Sequence, residues 1–307
     1  MKRAIFSFVL LLGFLIFSLD ASGSEQLTLT FQSVGSSDQI PATLIKPDGG
    51  GPFPAVIIVH DCSGLGPRSS GAPLRWAQEL VPQGYVTLIP DSFTPRGFPD
   101  GVCTVSGNQV NVVNGWVRAR DAYGALSALR KLPYVDGKRI GLMGGSHGGW
   151  TTLAAMCASI NEKDPLADAK SNGFAAAISL YPNCGARYGA WSTVRQSKDF
   201  GPVVSHSGVY KPIAPVLILI GEKDDWTPAE DCRQMVEVSR KAGFPLDIIT
   251  YPGAYHSFDS ASPVRYDPLR AVISSPSGKG ATTGGDSAAW SDAKKQVASF
   301  FAKHLKQ

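Results

Sequence analysis

The stretch Gly144-Gly145-Ser146-His147-Gly148 constrains this chain more than any other. It reads G-x-S-x-G. An apolar strand-like run, Arg139 to Met143, leads into it, and a helix-like run, Trp150 to Ser159, leads out. A strand passing into a helix through so short a turn needs small residues, because the turn is tight and strained. The strain holds the serine hydroxyl out of the sheet edge, at the N-terminus of the helix. Free N–H groups and the helix dipole there favour developing negative charge. A Gly-rich loop with an idle serine has the same five letters, but it has no reason to sit between a strand and a helix.

The rest of the chain keeps the same rhythm. Gln26 to Lys46 alternates as an antiparallel hairpin does. Pro54 to His60, Tyr85 to Pro90, Phe174 to Tyr181, Pro215 to Ile220 and Leu246 to Tyr251 are short apolar runs typical of strands buried on both faces. Ala72 to Pro82, Val117 to Leu132, Ala229 to Ala242 and Ala288 to His304 carry helical spacing. Strands alternating with helices predict an α/β fold, with a mostly parallel sheet covered on both faces and an antiparallel hairpin at its start. Three stretches break the rhythm: Thr94 to Gly115, Cys184 to Pro212 and Ser260 to Gly285. Each follows a predicted strand, where loops build the site in such sheets. They are the expected pocket walls, with Ser274 to Asp286 polar enough to be a mobile surface loop instead.

Length and composition fit this frame. With 307 residues, 43% of them hydrophobic, the chain suits one large α/β domain or two small ones. Met1 to Gly23 has the form of a secretory signal: basic Lys2 and Arg3, apolar Ala4 to Leu19, then small Ala21-Ser22-Gly23. We therefore expect a signal peptide over 1–23 and one domain over 24–307, exported to a periplasmic or extracellular space. No membrane anchor is expected to remain after cleavage. The formal net charge of +4 falls to +3 once Lys2, Arg3 and Asp20 are removed. That is too weak a charge to argue for nucleic acid.

A serine hydroxyl needs a base to take its proton and a third group to orient that base. In this architecture the partners follow in the order serine, acid, histidine, each just beyond a strand. Asp224, in Gly221-Glu222-Lys223-Asp224-Asp225-Trp226-Thr227-Pro228, is the expected acid. Glu222 and Asp225 compete with it; Asp225 is expected to cap the next turn or helix. His256 is the expected base, because it alone of the five histidines has the right position and order. His147 should point away from the triad, His206 reads as structural, and His304 as solvated. The oxyanion hole is expected from the N–H of His147 and of Cys62, with Asp61 or Ser63 as alternatives to Cys62.

Taken together, these segments resemble the dienelactone hydrolase family of the α/β-hydrolase fold. The resemblance rests on His60-Asp61-Cys62-Ser63-Gly64-Leu65, on Pro90-Asp91-Ser92-Phe93 with Arg96-Gly97, on Gly144 to Gly148, on Asp224 to Pro228 and on His256-Ser257-Phe258. It spans roughly Gln26 to the C-terminus. Dienelactone hydrolases proper carry a cysteine nucleophile and a glutamate after the oxyanion-loop histidine; this chain has Ser146 and Asp61. The resemblance implies a serine-based, exported branch without a large cap domain. Such an enzyme is expected to act on a small-molecule ester or lactone. The sequence has no metal-ligand spacing such as C-x-x-C or H-E-x-x-H, no phosphate loop and no dinucleotide fingerprint, so neither cofactor nor metal is expected. A peptidase or acyltransferase would use the same residues, and a non-catalytic binding protein on this fold would typically have lost one of them.

Five cysteines in an oxidising compartment leave at least one unpaired. Cys62 and Cys103 flank the expected pocket, and Cys184 and Cys232 follow the two strands nearest the acid. Each pair is expected to bridge, with Cys157 a buried free thiol. Arg96, in a pocket-side loop, is a candidate to meet a substrate carboxylate. Arg118 with Asp121 reads as a helix-face pair, and Trp150 as packed.

Overall fold

The computed structural model describes residues 24–159, 164–196, 203–272 and 278–307. The proposed signal segment, 1–23, lies outside them. An eight-stranded sheet organises the chain. Its strands are β1 (Ser24–Gln32), β2 (Gln39–Pro47), β3 (Phe53–Val59), β4 (Val86–Pro90), β5 (Val135–Gly145), β6 (Ala176–Leu180), β9 (Val216–Gly221) and β10 (Leu246–Tyr251), in the order β1-β2-β4-β3-β5-β6-β9-β10. β7 (Ser192–Gln196) pairs with β8 (Val203–Ser207), and β11 (Arg265–Ala271) with β12 (Lys279–Thr283), as separate two-stranded ribbons.

The pairing follows from the residue pattern. β1 alternates apolar Leu27, Leu29 and Phe31 with polar residues, and pairs antiparallel with β2 from Ser24↔Pro47 to Gln32↔Gln39. β2 pairs antiparallel with β4, and every later neighbour is parallel. The central strands β4, β6 and β9 are buried at every position, as an apolar run covered on both faces must be. The covering helices are α1 (Ala72–Leu80), α2 (Gly115–Leu129), α3 (His147–Met156), α4 (Ala167–Ser171), α5 (Ala229–Lys241) and α6 (Ser287–Leu305). Asn114 caps α2 by accepting from the N–H groups of Trp116 and Val117, and Asp286 caps α6 by accepting from Ala289. No described helix is long and apolar enough to cross a membrane.

The predicted elements hold, with two corrections. Two of the three stretches read as loops carry strands: β7 and β8 within Cys184 to Pro212, and β11 and β12 within Ser260 to Gly285. Their residues alternate only weakly in hydrophobicity, because these ribbons lie outside the main sheet. Helix α3 starts at His147, three residues before the expected Trp150. Gly148 and Gly149 hide the first turn from a propensity reading, but packing demands glycine here. A Cβ on Gly148 would stand 2.2 Å from the Val59 carbonyl oxygen, so the helix could not approach β3 with any larger residue.

Candidate functional site

Ser146 stands at the turn from β5 to α3 with φ 55° and ψ −115°. That conformation is strained for a residue with a side chain, and it is held by its surroundings. Ser146 N–H donates to the Leu180 carbonyl at 2.9 Å, while Ser146 O accepts from Trp150 N–H at 2.8 Å. Gly145 is equally constrained, since a Cβ there would lie 2.4 Å from the Tyr181 hydroxyl. Among the described residues the other non-glycine positions with positive φ are Tyr181 and Ser257. Both border the same site, so local strain is concentrated at it.

Three predicted residues from three separate segments meet here. Ser146 Oγ–H donates to His256 Nε2 at 2.8 Å, and His256 Nδ1–H donates to Asp224 Oδ2 at 2.7 Å. Ser146 is 8% exposed, Asp224 4% and His256 1%. Asp224 lies just past β9, and its Oδ1 accepts from the N–H groups of Trp226 (3.0 Å) and Thr227 (2.8 Å). Those bonds fix the carboxylate in place. The Thr227 hydroxyl stands 3.0 Å from Asp224 Oδ2 and 3.1 Å from the Tyr181 carbonyl. The rings of Trp226 and Tyr181 pack on the His256 imidazole at 4.7 and 4.8 Å between centroids.

The His256 loop is anchored from below. Buried Asp259 accepts from the Tyr181 hydroxyl and from Trp76 Nε1, each at 2.7 Å. Burial raises its carboxyl above the usual range, and the two donors act the other way. Thr227, Tyr181, Trp226 and Asp259 carry no motif that marks them in the sequence as part of this site. Their one visible signal is position, next to a predicted strand end or a predicted site residue.

The N–H of His147, first residue of α3, has no protein acceptor among the described residues, and neither has that of Cys62. The peptide carrying the Cys62 N–H is held rigidly. Its carbonyl, that of Asp61, accepts from His60 Nδ1–H at 2.8 Å, while His60 Nε2 accepts from Ser92 N–H. Cys62 O accepts from Val102 N–H, and Cys62 is joined to Cys103 by a disulfide. Cys184 and Cys232 form the second bridge. Cys157 is a buried free thiol, whose pKa burial pushes up to about 11.

Several other expectations are corrected. Arg96 does meet carboxylates, but they are the protein's own. It forms a bidentate pair with buried Asp121 (2.7 and 2.8 Å) and reaches Asp38, so its head group is consumed. Asp121 is therefore not the partner of Arg118 on a helix face. Arg118 is fully buried and donates to His60 O at 2.8 Å and to His147 Nδ1 at 2.7 Å. Asp225 does not cap the next helix; its carboxylate accepts from Thr282 N–H and Oγ1–H, each at 2.8 Å, tying β12 to the loop after β9. His206 is structural as expected, bonded to Asp231 and stacked on Trp191. His304 packs on Phe300 and is only partly exposed.

Known proteins bear on the same arrangement. The model of the dienelactone hydrolase family matches residues 40–305. A Yersinia pestis protein bearing the name carboxymethylenebutenolidase is 27% identical over 250 residues, covering 79% of this chain and 82% of its own length. Dipeptidyl-peptidase 5 of Porphyromonas gingivalis is 25% identical over 217 residues, 66% of this chain but 30% of that protein. The crystal structure of a dienelactone hydrolase-like promiscuous phosphotriesterase from metagenomic libraries superposes with a TM-score of 0.61. It is 18% identical and covers 92% of this chain and all of that one. With its sheet order, its serine turn and a family match over most of its length, this chain belongs to the dienelactone hydrolase family.

Proposed function

We propose that the protein is an exported serine hydrolase of carboxylic esters or lactones, working through Ser146, His256 and Asp224. The observation that carries the reading is the unbroken relay from Ser146 Oγ through His256 to Asp224, with bonds of 2.8 and 2.7 Å. As Ser146 Oγ attacks the substrate carbonyl, His256 Nε2 takes its proton, and Asp224 stabilises the imidazolium through Nδ1–H. The oxyanion falls to the N–H groups of His147 and Cys62. His256 then returns the proton to the leaving alcohol. It next activates water, which releases the acid and frees Ser146.

Membership of a hydrolase family supports the class of reaction. Two disulfides support an oxidising compartment, which agrees with reading 1–23 as a signal peptide. The peptidase relatives make amide hydrolysis the second reading. The test is fluorophosphonate labelling of purified protein beside Ser146→Ala, followed by p-nitrophenyl esters of graded acyl length, a lactone and an aminoacyl p-nitroanilide. Labelling of the parent alone, with ester or lactone turnover, is the expected result. Equal labelling of both proteins, or of neither, removes Ser146 as the nucleophile, and turnover of the anilide alone makes the enzyme a peptidase.

A further inference from the structure

The proposed oxyanion donors come from distant parts of the chain: Cys62 follows β3, and His147 begins α3. A third segment, helix α2, touches both. One guanidinium of that helix, Arg118, donates through one arm to His60 O (2.8 Å) and through the other to His147 Nδ1 (2.7 Å). We propose that Arg118 is a positioning residue that clamps the two halves of the oxyanion hole together; this rests on the proposed hydrolase reading.

Consider first the His60 side. The bond from Arg118 fixes the His60–Asp61 peptide through its carbonyl. The next peptide, Asp61–Cys62, is fixed by the His60 ring, whose Nδ1–H donates to Asp61 O. The peptide that carries the Cys62 N–H is thus held by the His60 ring, and the peptide before it by Arg118, so a shift of Arg118 is passed to that N–H through one planar unit. On the other side, Arg118 donates to Nδ1, so His147 is neutral and carries its proton on Nε2. Burial and the Arg118 charge both lower the His147 pKa, which keeps the ring an acceptor. The ring and the oxyanion N–H belong to the same residue, at the first position of α3.

The surroundings are built to hold this fork. The Phe93 ring lies 4.8 Å from the Arg118 guanidinium, 4.4 Å from the His60 ring and 5.4 Å from the His147 ring. A buried cation is costly unless it is bonded. Yet the nearest carboxylate on its helix, Asp121, gives its two oxygens to Arg96. The two strong bonds of Arg118 go instead to groups that lead to the proposed oxyanion donors. A lysine, as a point charge without a fork, does not reproduce that geometry.

The test compares parent, Arg118→Lys and Arg118→Gln, each normalised to active sites titrated with a fluorophosphonate. kcat and KM for a p-nitrophenyl ester are measured with the affinity for a trifluoromethyl ketone, which forms a tetrahedral adduct bearing the oxyanion. Loss of a whole oxyanion donor costs ~10²–10³ in kcat, so a misplaced pair is expected to cost ~10–100-fold. Both variants should show that loss, with ketone affinity falling by a similar factor and with KM and the pH profile of kcat little moved. Unchanged kcat per titrated site, a loss confined to KM, or full rescue by lysine overturns the clamp. If neither Arg118 variant folds, His147→Phe keeps an aromatic ring and the backbone N–H but removes the Nδ1 acceptor; it should show the same linked loss, and unchanged kcat and ketone affinity there overturn the clamp. A parent enzyme that neither labels nor turns over ester overturns the hydrolase reading and the clamp with it. A parent that labels beside fully active variants overturns the clamp alone.

Discussion

Asp225 holds Thr282 by two bonds of 2.8 Å, while its neighbour Asp224 bonds the His256 imidazole at 2.7 Å. Two adjacent carboxylates thus serve different ends, and burial separates them: Asp224 is buried and Asp225 exposed. Asp224→Asn should leave the geometry but present the wrong hydrogen-bonding group to His256, lowering kcat by up to ~10⁴. Asp225→Ala loses two exposed hydrogen bonds, each contributing about 1 kcal/mol, and should change kcat by less than tenfold. Steady-state kinetics of the two variants side by side decide the assignment; a larger loss in Asp225→Ala would reverse it.

The two disulfides should separate stability from activity. They close loops with sequence separations of 41 and 48. Loop entropy then gives each about 4 kcal/mol of stabilisation. Cys184→Ala/Cys232→Ala should lower the urea midpoint with little effect on kcat of the folded protein. Cys62→Ala/Cys103→Ala should lower both, because the Cys62 N–H is a proposed oxyanion donor. Equal kcat in the two double variants would show that the first bridge has no part in positioning that donor.

Stability should fall on mild acidification. Burial and the Arg118 charge hold both His60 and His147 well below the ordinary histidine pKa. In the unfolded chain they titrate near pH ~6.5. Above that pH both states are neutral and the pair contributes no pH dependence. Below it the unfolded chain takes up protons that the native protein refuses, so the native state loses ground at up to about 1.4 kcal/mol per pH unit for each ring. Urea denaturation between pH 7.5 and 5 should show this slope. A midpoint independent of pH over that range would mean that the two rings accept protons in the folded protein.

Arg96 should prove structural. Its bidentate partner Asp121 is fully buried, so Arg96→Ala leaves a carboxylate without its cation, a change that typically costs ~3–5 kcal/mol. Substrate charge should not modulate the defect: KM for a carboxylate-bearing ester and for its neutral analogue should move together. A selective rise in KM for the charged ester would restore Arg96 to substrate binding.

Local chemistry makes much of this protein legible in its sequence. The buried strands announce themselves as short apolar runs. The Gly-flanked serine declares a strained turn, and Asp224 and His256 follow in the required order beyond strands β9 and β10. These signals are legible because each depends on neighbours in the chain: side-chain period, turn sterics, and the rule that sites lie at strand ends.

Partner choice among charged groups is different in kind. Arg96 and Arg118 both lie near Asp121 in sequence or space, and sequence spacing paired the wrong one with it. The choice was made by which head group the packing of α2 against β3 and α3 leaves within reach of which acceptor. The same holds for Asp225 with Thr282, for Tyr181 and Trp76 with Asp259, and for the ribbons that read as loops. The chain's own pattern therefore set the layers, the strained serine and the order of Ser146, Asp224 and His256 along it. Tertiary packing alone set the hydrogen-bonded frame around them, because such bonds form between atoms that meet only once the sheet has assembled, and burial then makes any unpaired alternative costly.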